Sequence, residues 1–575
     1  MWTVQDAPWW TRAVVYQIYP RSFADSDGDG IGDLRGILDH VGHLADLGVD
    51  VVWLSPVYRS PQDDNGYDIS DYDDVDPLFG TLADLDEVIA ALHARGIRLV
   101  MDLVVNHTSD EHAWFAASRS SRTDPQRDWY WWRPARPGST PGTPGAEPTN
   151  WRSAFSGPAW TFDEATGEYY LHLFSRRQPD LNWENPQVRA AVFAMMRRWL
   201  DRGVDGFRMD VVNFLSKDPA LPDGVPGADG LGDGSPWYIG GPRIHEFLAQ
   251  MHREVFAGHG GRLLAVGEMP GVTVEEARRF TDPARAEVDM VFQFEHVDLD
   301  SGPGGKFDPR PLRLTDLKAT FGRWQAGLAD VGWNSLYWEN HDQPRVVSRF
   351  GDDGTWWRES ATALAMLLHL HRGTPYVYQG EELGMTNAHL TRLDGYRDIE
   401  SLRYVEHACA AGAAADEQLM AALARKSRDN ARTPVQWDGS PQAAFTTGTP
   451  WIAVNPNHTT INAAAQRDDP RSVLAHYRRL IALRHDEPVV ALGDFTMLAP
   501  DDEHVYAFTR RLDDVELLVL VNVGDQERPV ADVLPQEAPW SDDAEVLLAN
   551  WPDPPGPAAA LRPWEARVYR RRHPS

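Results

Sequence analysis

The chain has 575 residues, too many for one simple core, so a large domain with satellites is the first expectation. Its 85 acidic against 55 basic residues leave a formal net charge of -30, which repels phosphate backbones and excludes nucleic acid as a partner. A single cysteine, Cys409, rules out an intrachain disulfide, residues 1–10 lack the basic start and apolar core of a secretory signal, and no apolar run approaches the roughly 20 residues that cross a bilayer, so cytoplasmic residence is expected.

In chain order, short apolar runs at 14–19, 51–54, 99–105, 206–211, 263–268, 290–294, 335–338 and 375–378 read as eight strands. Amphipathic helices alternate with them, as in Leu38, Val41, Leu44 and Leu47, or Leu85, Val88, Ile89 and Leu92, with apolar residues three or four apart. Asn185-Pro186 supplies a cap and a first-turn proline for a helix running to Leu200. This pattern predicts an α/β fold, a (β/α)₈ TIM barrel whose site gathers at the C-terminal strand ends. An open doubly wound sheet would show a Gly-rich phosphate loop after its first strand, but here Pro20-Arg21-Ser22-Phe23 follows.

Two departures from the alternation divide the chain. The stretch 107–178, rich in Pro, Gly, Trp and Arg, is too long for a structureless loop and predicts a small domain inserted after strand 3. Beyond about residue 490, short alternating runs separated by Asp, Gly and Pro predict a terminal antiparallel β domain. The expected division is therefore barrel at 1–106 and 179–490, insertion at 107–178, and β domain at 491–575.

Three acids end apolar runs: Asp210 in Gly206-Phe207-Arg208-Met209-Asp210, Glu268 after Ala265-Val266-Gly267, and Asp342 in Glu339-Asn340-His341-Asp342. Cleaving a glycosidic bond with retention needs a carboxylate to attack the sugar and a carboxylic acid about 5 to 5.5 Å away to protonate the leaving oxygen. On a strand, Arg208 and Asp210 point the same way, and a guanidinium keeps an acid ionised, as a nucleophile requires. Glu268 has no basic neighbour in sequence, a setting suited to a raised pKa and general acid work. A lone acid at a strand end serves equally as a helix cap or ion-pair partner, and His107 or His341 alone reads equally as a core histidine. The recurrence at several strand ends favours chemistry.

Near the N-terminus, Asp25-Ser26-Asp27-Gly28-Asp29-Gly30-Ile31-Gly32-Asp33 sets carboxylates at every second position on a Gly-permitted loop, as Ca²⁺ or Mg²⁺ requires. It is not an EF-hand, since position twelve is Gly36 instead of Glu. A solvated acidic turn is the alternative.

Taken together, the segments at 102–107, 178–182, 206–210, 267–268 and 340–345 resemble the α-amylase superfamily of glycoside hydrolases, specifically its α-glucosidase and oligo-1,6-glucosidase branch, and 373–384 and 428–437 extend the likeness over nearly the whole chain. The resemblance implies that Asp210 is the nucleophile, Glu268 the acid/base and Asp342 the carboxylate that grips hydroxyls of the distorted sugar. It places His107, His341 and Arg208 in the same sugar subsite, with Gln178 in a matching segment, and Tyr67 and Phe174 as stacking surfaces. It implies that Asp68, in Asn65-Gly66-Tyr67-Asp68, binds the non-reducing end, paired with Arg428 or with Arg432 four residues on. It also implies a structural Ca²⁺ or Mg²⁺ at Asp25, Asp27, Asp29, the Ile31 carbonyl and Asp33, and no organic cofactor.

An acid–arginine pair closing the pocket behind one glucose would make such an enzyme exo-acting on short oligosaccharides. Val211, directly after the nucleophile, is the residue type of the oligo-1,6-glucosidases, where strict α-1,4 enzymes tend to carry Thr or Ala, so α-1,6 linkages such as isomaltose are favoured with maltose possible. Two other readings use the same scaffold. A transglucosylase or sucrose isomerase would share the glucosyl-enzyme, but the Arg-Leu-Asp-Arg-Asp motif of the isomerases is absent. A non-catalytic transporter chaperone would lose the acids and gain a membrane span.

Overall fold

The computed structural model describes residues 2–227, 229–410, 417–534, 540–541 and 544–573. All eight expected strands form: β1 (Val15–Ile18), β2 (Val51–Leu54), β3 (Arg98–Leu103), β4 (Gly206–Met209), β5 (Leu264–Glu268), β6 (Met290–Phe292), β7 (Ser335–Leu336) and β8 (Thr374–Tyr378). Parallel pairing runs from β6 through β5, β4, β3, β2, β1 and β8 to β7, and a parallel bridge between Val291 and Asn334 closes the ring.

Both strand faces are buried, which is why the runs are nearly continuous apolar instead of alternating. Inward positions Val15, Val51, Trp53, Val100, Leu264, Val266, Phe292 and Tyr376 fill the barrel. Outward ones such as Val52, Leu99, Phe207, Ala265 and Val377 pack beneath the surrounding helices. The register sets Asp102 of β3 beside Arg208 of β4, and Met209 beside Gly267 of β5. Neighbouring parallel residues in register face the same side, so acids on three successive strands converge at one rim.

The helices follow their local signals. Asn185 caps Pro186–Arg202 by accepting from the Gln187 N–H, and left-handed Gly203 ends it. Thr81 and Asp84 form a capping box on Leu82–His93, whose buried face is Leu85, Val88, Ile89 and Leu92. The Leu38-to-Leu47 pattern is split instead into Leu34–Asp39 and Val41–Leu47, because His40 leaves helical geometry and its Nδ1 bonds the Gly36 carbonyl at 2.8 Å.

Between β3 and β4 lie a helix, Ala113–Ser120, and a three-stranded antiparallel sheet of Trp132–Arg133, Glu168–Leu171 and Trp160–Asp163. Trp131, Trp151, Trp160 and Tyr169 give this insertion a core of its own, which continues onto Val211, Phe214 and Leu221 after β4. At the C-terminal end, β9 (Asp494–Leu498), β10 (Val505–Leu512), β11 (Val515–Asn522), β12 (Glu545–Ala549) and β13 (Ala566–Arg572) form one antiparallel sheet in the order 9-10-11-13-12. Buried Arg510 joins it to the barrel, donating to the carbonyls of Leu370, Val490 and Gly493. No helix among the described residues is long and apolar enough to cross a membrane.

Candidate active site

One guanidinium organises the rim. Arg208 Nη1 donates to Asp210 Oδ1 and to Asp102 Oδ1, both at 2.8 Å, while Nη2 lies 2.5 Å from Glu268 Oε1. The second Asp102 oxygen accepts from Tyr67 Oη at 2.9 Å and Trp53 Nε1 at 3.1 Å, so this buried carboxylate has partners on both oxygens. Arg208 is itself buried and lies over the Trp53 ring. Burial, mutual repulsion and the nearby acids raise Asp210 well above the usual carboxylate range, and burial also raises Glu268, against the pull of Arg208. Two such neighbouring acids disfavour ionising together, and the pair titrates as a unit.

Opposite them, the chain leaving β7 presents His341 and Asp342. His341 Nδ1 faces the Gln17 amide nitrogen at 2.9 Å and so accepts, which leaves the Nε2 hydrogen to face Asp342 Oδ2 at 3.1 Å. Burial pushes this imidazole down to about 3, so it donates as a neutral group. Tyr67 stacks flat on it, with ring centroids 4.9 Å apart. Asp342 Oδ1 meets Arg428 Nη1 at 3.0 Å and Arg432 Nη2 at 2.9 Å. Burial works to raise Asp342, but His341, Arg428 and Arg432 outweigh it and hold the carboxyl ionised, well below its ordinary range.

The acid paired with Arg428 is Asp64 and not Asp68. Arg428 Nη2 reaches Asp64 Oδ1 at 3.2 Å and Asp398 Oδ1 at 2.6 Å. Asp68 is fully buried and turned into its own loop, where it accepts from Ser60 Oγ and from the backbone N–H groups of Asp63 and Asp64 at 2.9 to 3.0 Å. Left-handed Asn65 and Gly66 make the tight turn that separates the two acids. Gln178 Nε2 reaches Asp64 Oδ2 and the Tyr67 carbonyl, both at 3.2 Å, and His107 Nε2 meets the same carbonyl at 3.1 Å. Phe174, half-buried, lies 5.1 Å from the His107 ring, with Phe155 beyond it.

Val211 is not on the strand. β4 ends at Met209, and Val211 takes a left-handed φ of 36°, a strained geometry for a β-branched residue, to start the turn Val212–Phe214. Its side chain therefore packs into the aromatic core of the insertion, and its N–H donates to Glu268 Oε2 at 3.2 Å. The turn is pinned by fully buried Lys217, whose Nζ reaches the Phe214 carbonyl at 2.9 Å and Asn106 Oδ1 and Asp180 Oδ2 at 3.0 Å. Sequence reasoning missed Asp64, Lys217 and Asp398, and it read Asp102 only as part of a motif. An acid four residues before Asp68 on the same Gly-containing loop was the one available signal.

In the acidic loop, oxygens of Asp25, Asp27 and Asp29 lie within 4.8 Å of one another. They present the hard, all-oxygen donor set that Ca²⁺ or Mg²⁺ takes. Asp33 departs from the expected set. Its Oδ1 caps helix Leu34–Asp39 through the Gly36 N–H at 2.7 Å, and its Oδ2 accepts from Ser26 N and Oγ. Ile31 turns its N–H onto Asp29 Oδ1 at 2.8 Å.

Residues 17–493 match the model of the alpha amylase catalytic domain. The oligo-1,6-glucosidase of Parageobacillus thermoglucosidasius is 54% identical over 570 residues, covering 98% of this chain and 99% of that one. The trehalose-6-phosphate hydrolase of Bacillus subtilis (strain 168) is 47% identical, with 99% of each chain covered. Among solved structures, the trehalose-6-phosphate hydrolase of Bacillus licheniformis superposes with a TM-score of 0.92 at 44% identity, covering 99% of this chain and all of that one. The isomaltulose synthase of Klebsiella sp. LX3 gives a TM-score of 0.92 at 38% identity, covering 98% and 99%. With a closed barrel, three convergent acids and relatives matched over nearly their whole length, the chain belongs to the α-amylase superfamily of glycoside hydrolases, in its α-glucosidase and oligo-1,6-glucosidase branch.

Proposed function

We infer that this enzyme is a retaining, exo-acting α-glucosidase that releases terminal glucose from short α-glucosides, with α-1,6 linkages favoured. The carrying observation is the Arg208 guanidinium, which holds Asp210 and Glu268 as neighbours on one planar group while Asp342 faces them from β7. Asp210 attacks the anomeric carbon with the oxygen not bonded to Arg208, and the bond to the leaving oxygen breaks as Glu268 gives that oxygen its proton. A glucosyl ester forms. Glu268, now a carboxylate, takes a proton from the incoming water, whose oxygen displaces Asp210 and restores the enzyme. Ionised Asp342, held by the N–H of neutral His341, supplies an acceptor for ring hydroxyls, and those bonds strengthen as the sugar flattens.

Asp64, Arg428 and Asp398 wall off the subsite on the side away from the leaving group, which supports release of single units from a chain end. Asp64→Asn is expected to raise KM for isomaltose and lower kcat/KM by about 10- to 100-fold, the cost of a charged hydrogen bond. Asp68→Asn is expected to act on loop stability, lowering Tm with a smaller effect on KM. Steady-state kinetics and melting of both variants check this, and the reverse ranking would restore Asp68 to the pocket.

For linkage, Val211 acts through the aromatic core of the insertion that it packs into, and Val211→Thr or Val211→Ala is expected to raise the maltose to isomaltose ratio of kcat/KM by about 10-fold or less, since a methyl-scale change is worth about 1 to 3 kcal/mol. Initial rates on isomaltose, maltose, maltotriose, sucrose and trehalose set the wild-type baseline. A flat ratio, or a wild type that prefers maltose, makes the enzyme a general α-glucosidase. Sucrose converted mainly to an isomer would overturn hydrolysis itself.

The acidic loop supports a structural cation held by Asp25, Asp27 and Asp29, with the Ile31 carbonyl at its edge. The cation would join this loop to the barrel, since Asp25 also accepts from the Thr446 hydroxyl. A cation that binds only the folded chain adds to its stability, so EDTA is expected to lower Tm and added Ca²⁺ to restore it. Coincident melting curves with and without chelator would leave a solvated turn. The exposed free thiol of Cys409 supports cytoplasmic residence.

A further inference from the structure

A cavity of about 420 Å³ opens at the barrel base, beside the N-terminal ends of β5 and β6 and at the opposite end from the catalytic acids. Trp2 and Trp10 form one corner, edge to face at 5.3 Å and both packed on Trp333. Phe256 closes another side at the end of His252–Phe256, a π-helical turn of the kind that gathers at functional sites. Left-handed Gly258, Gly260 and Gly261 form the rim, with open space where a Cβ would stand.

Three acids and no lysine or arginine line this space. Glu287 is engaged by His245 at 2.8 Å and Arg285 at 2.9 Å. Asp289 is different. Its Oδ2 accepts from the Ala265 N–H at 2.8 Å, while Oδ1 has no partner among the described residues. Asp289 is half-buried and no cation lies beside it, so desolvation pushes its carboxyl up to about 7, and an ammonium ion placed against it would hold it ionised. His252, the one basic group in the wall, has its pKa lowered by burial, which disfavours a charge there.

We propose that this cavity is a binding site for a protonated organic amine with an apolar ring, its ammonium on Asp289 Oδ1 and its ring against Trp2 and Trp10. An aromatic wall beside an unpaired carboxylate is the pairing that recognises such cations. The chain's net charge of -30 draws them in.

The test is calorimetry on the full chain with 2-phenylethylammonium and with 2-phenylethanol, its neutral counterpart, alongside turnover of p-nitrophenyl α-glucoside. The amine is expected to bind saturably at one site, about 10-fold or more tighter than the alcohol, and to leave turnover unchanged at saturation. Asp289→Asn keeps an acceptor for the Ala265 N–H and is expected to weaken the amine about 10-fold while sparing the alcohol. Trp2→Ala, at the chain's start, is expected to weaken both. Equal affinity for amine and alcohol would mean an apolar crevice only. An amine that competes with the glucoside and binds Asp289→Asn undiminished would place it on the catalytic acids. Either outcome, or no saturable binding, overturns the proposal.

Discussion

Asp210→Asn is expected to lower kcat on any α-glucoside by roughly 10⁴-fold or more while leaving the fold intact. The substitution keeps an oxygen for Arg208, which retains its contacts with Asp102 and Glu268, so no buried cation is stranded. What disappears is the carboxylate that forms the ester. Because the loss is in a step and not in binding, KM should change far less than kcat. Turnover of p-nitrophenyl α-glucoside, a melting curve, and mass spectrometry of acid-quenched wild type for a glucosyl adduct check the three parts. Near-normal turnover, or an adduct on another residue, would remove Asp210 from the nucleophile's role.

Glu268→Gln is expected to cost about 10³-fold on isomaltose but much less in the first step with an activated aryl glucoside, whose leaving group departs without a proton. The variant also lacks the base that activates water, so added azide, which needs no deprotonation, should restore turnover on the aryl substrate. The pH profile carries the sign. Burial raises Glu268 above the ordinary carboxylate range, and activity falls as pH rises through the upper apparent pKa of the Asp210–Glu268 pair. Replacing Glu268 should remove that falling limb. Equal losses on both substrates, with the limb retained, would assign the proton to another group.

The chain's regular elements were legible because periodicity is a local property. Arg208 and Asp210, two apart on a strand, share a face and meet at 2.8 Å, as their spacing requires. The run ending in Glu268 and the His341-Asp342 pair also arrive at the rim where strand-end logic puts them, since an eight-strand ring brings successive C-terminal ends together. The aromatic insertion announced itself by a length that no bare loop sustains.

Departures arise where the backbone leaves its period or where a partner lies far along the chain. Positive φ at Asn65 and Gly66 turns Asp68 inward and leaves Asp64 on Arg428, a choice between two acids of one loop that no spacing rule makes. Positive φ at Val211 ends β4 two residues early and moves that side chain into the insertion's core. Asp33 is drawn off its loop by the free N–H of the helix that follows. Asp102 and Lys217 acquire their places through partners brought near by folding, Arg208 across a strand pair and Asn106 and Asp180 from distant loops. The sequence by itself determined the barrel, its satellites and the three acids, because alternation and strand ends are read residue by residue. Only the tertiary structure decided which acid meets Arg428 and what holds Glu268 in place, because those depend on left-handed turns and on contacts between residues 57 to 364 positions apart.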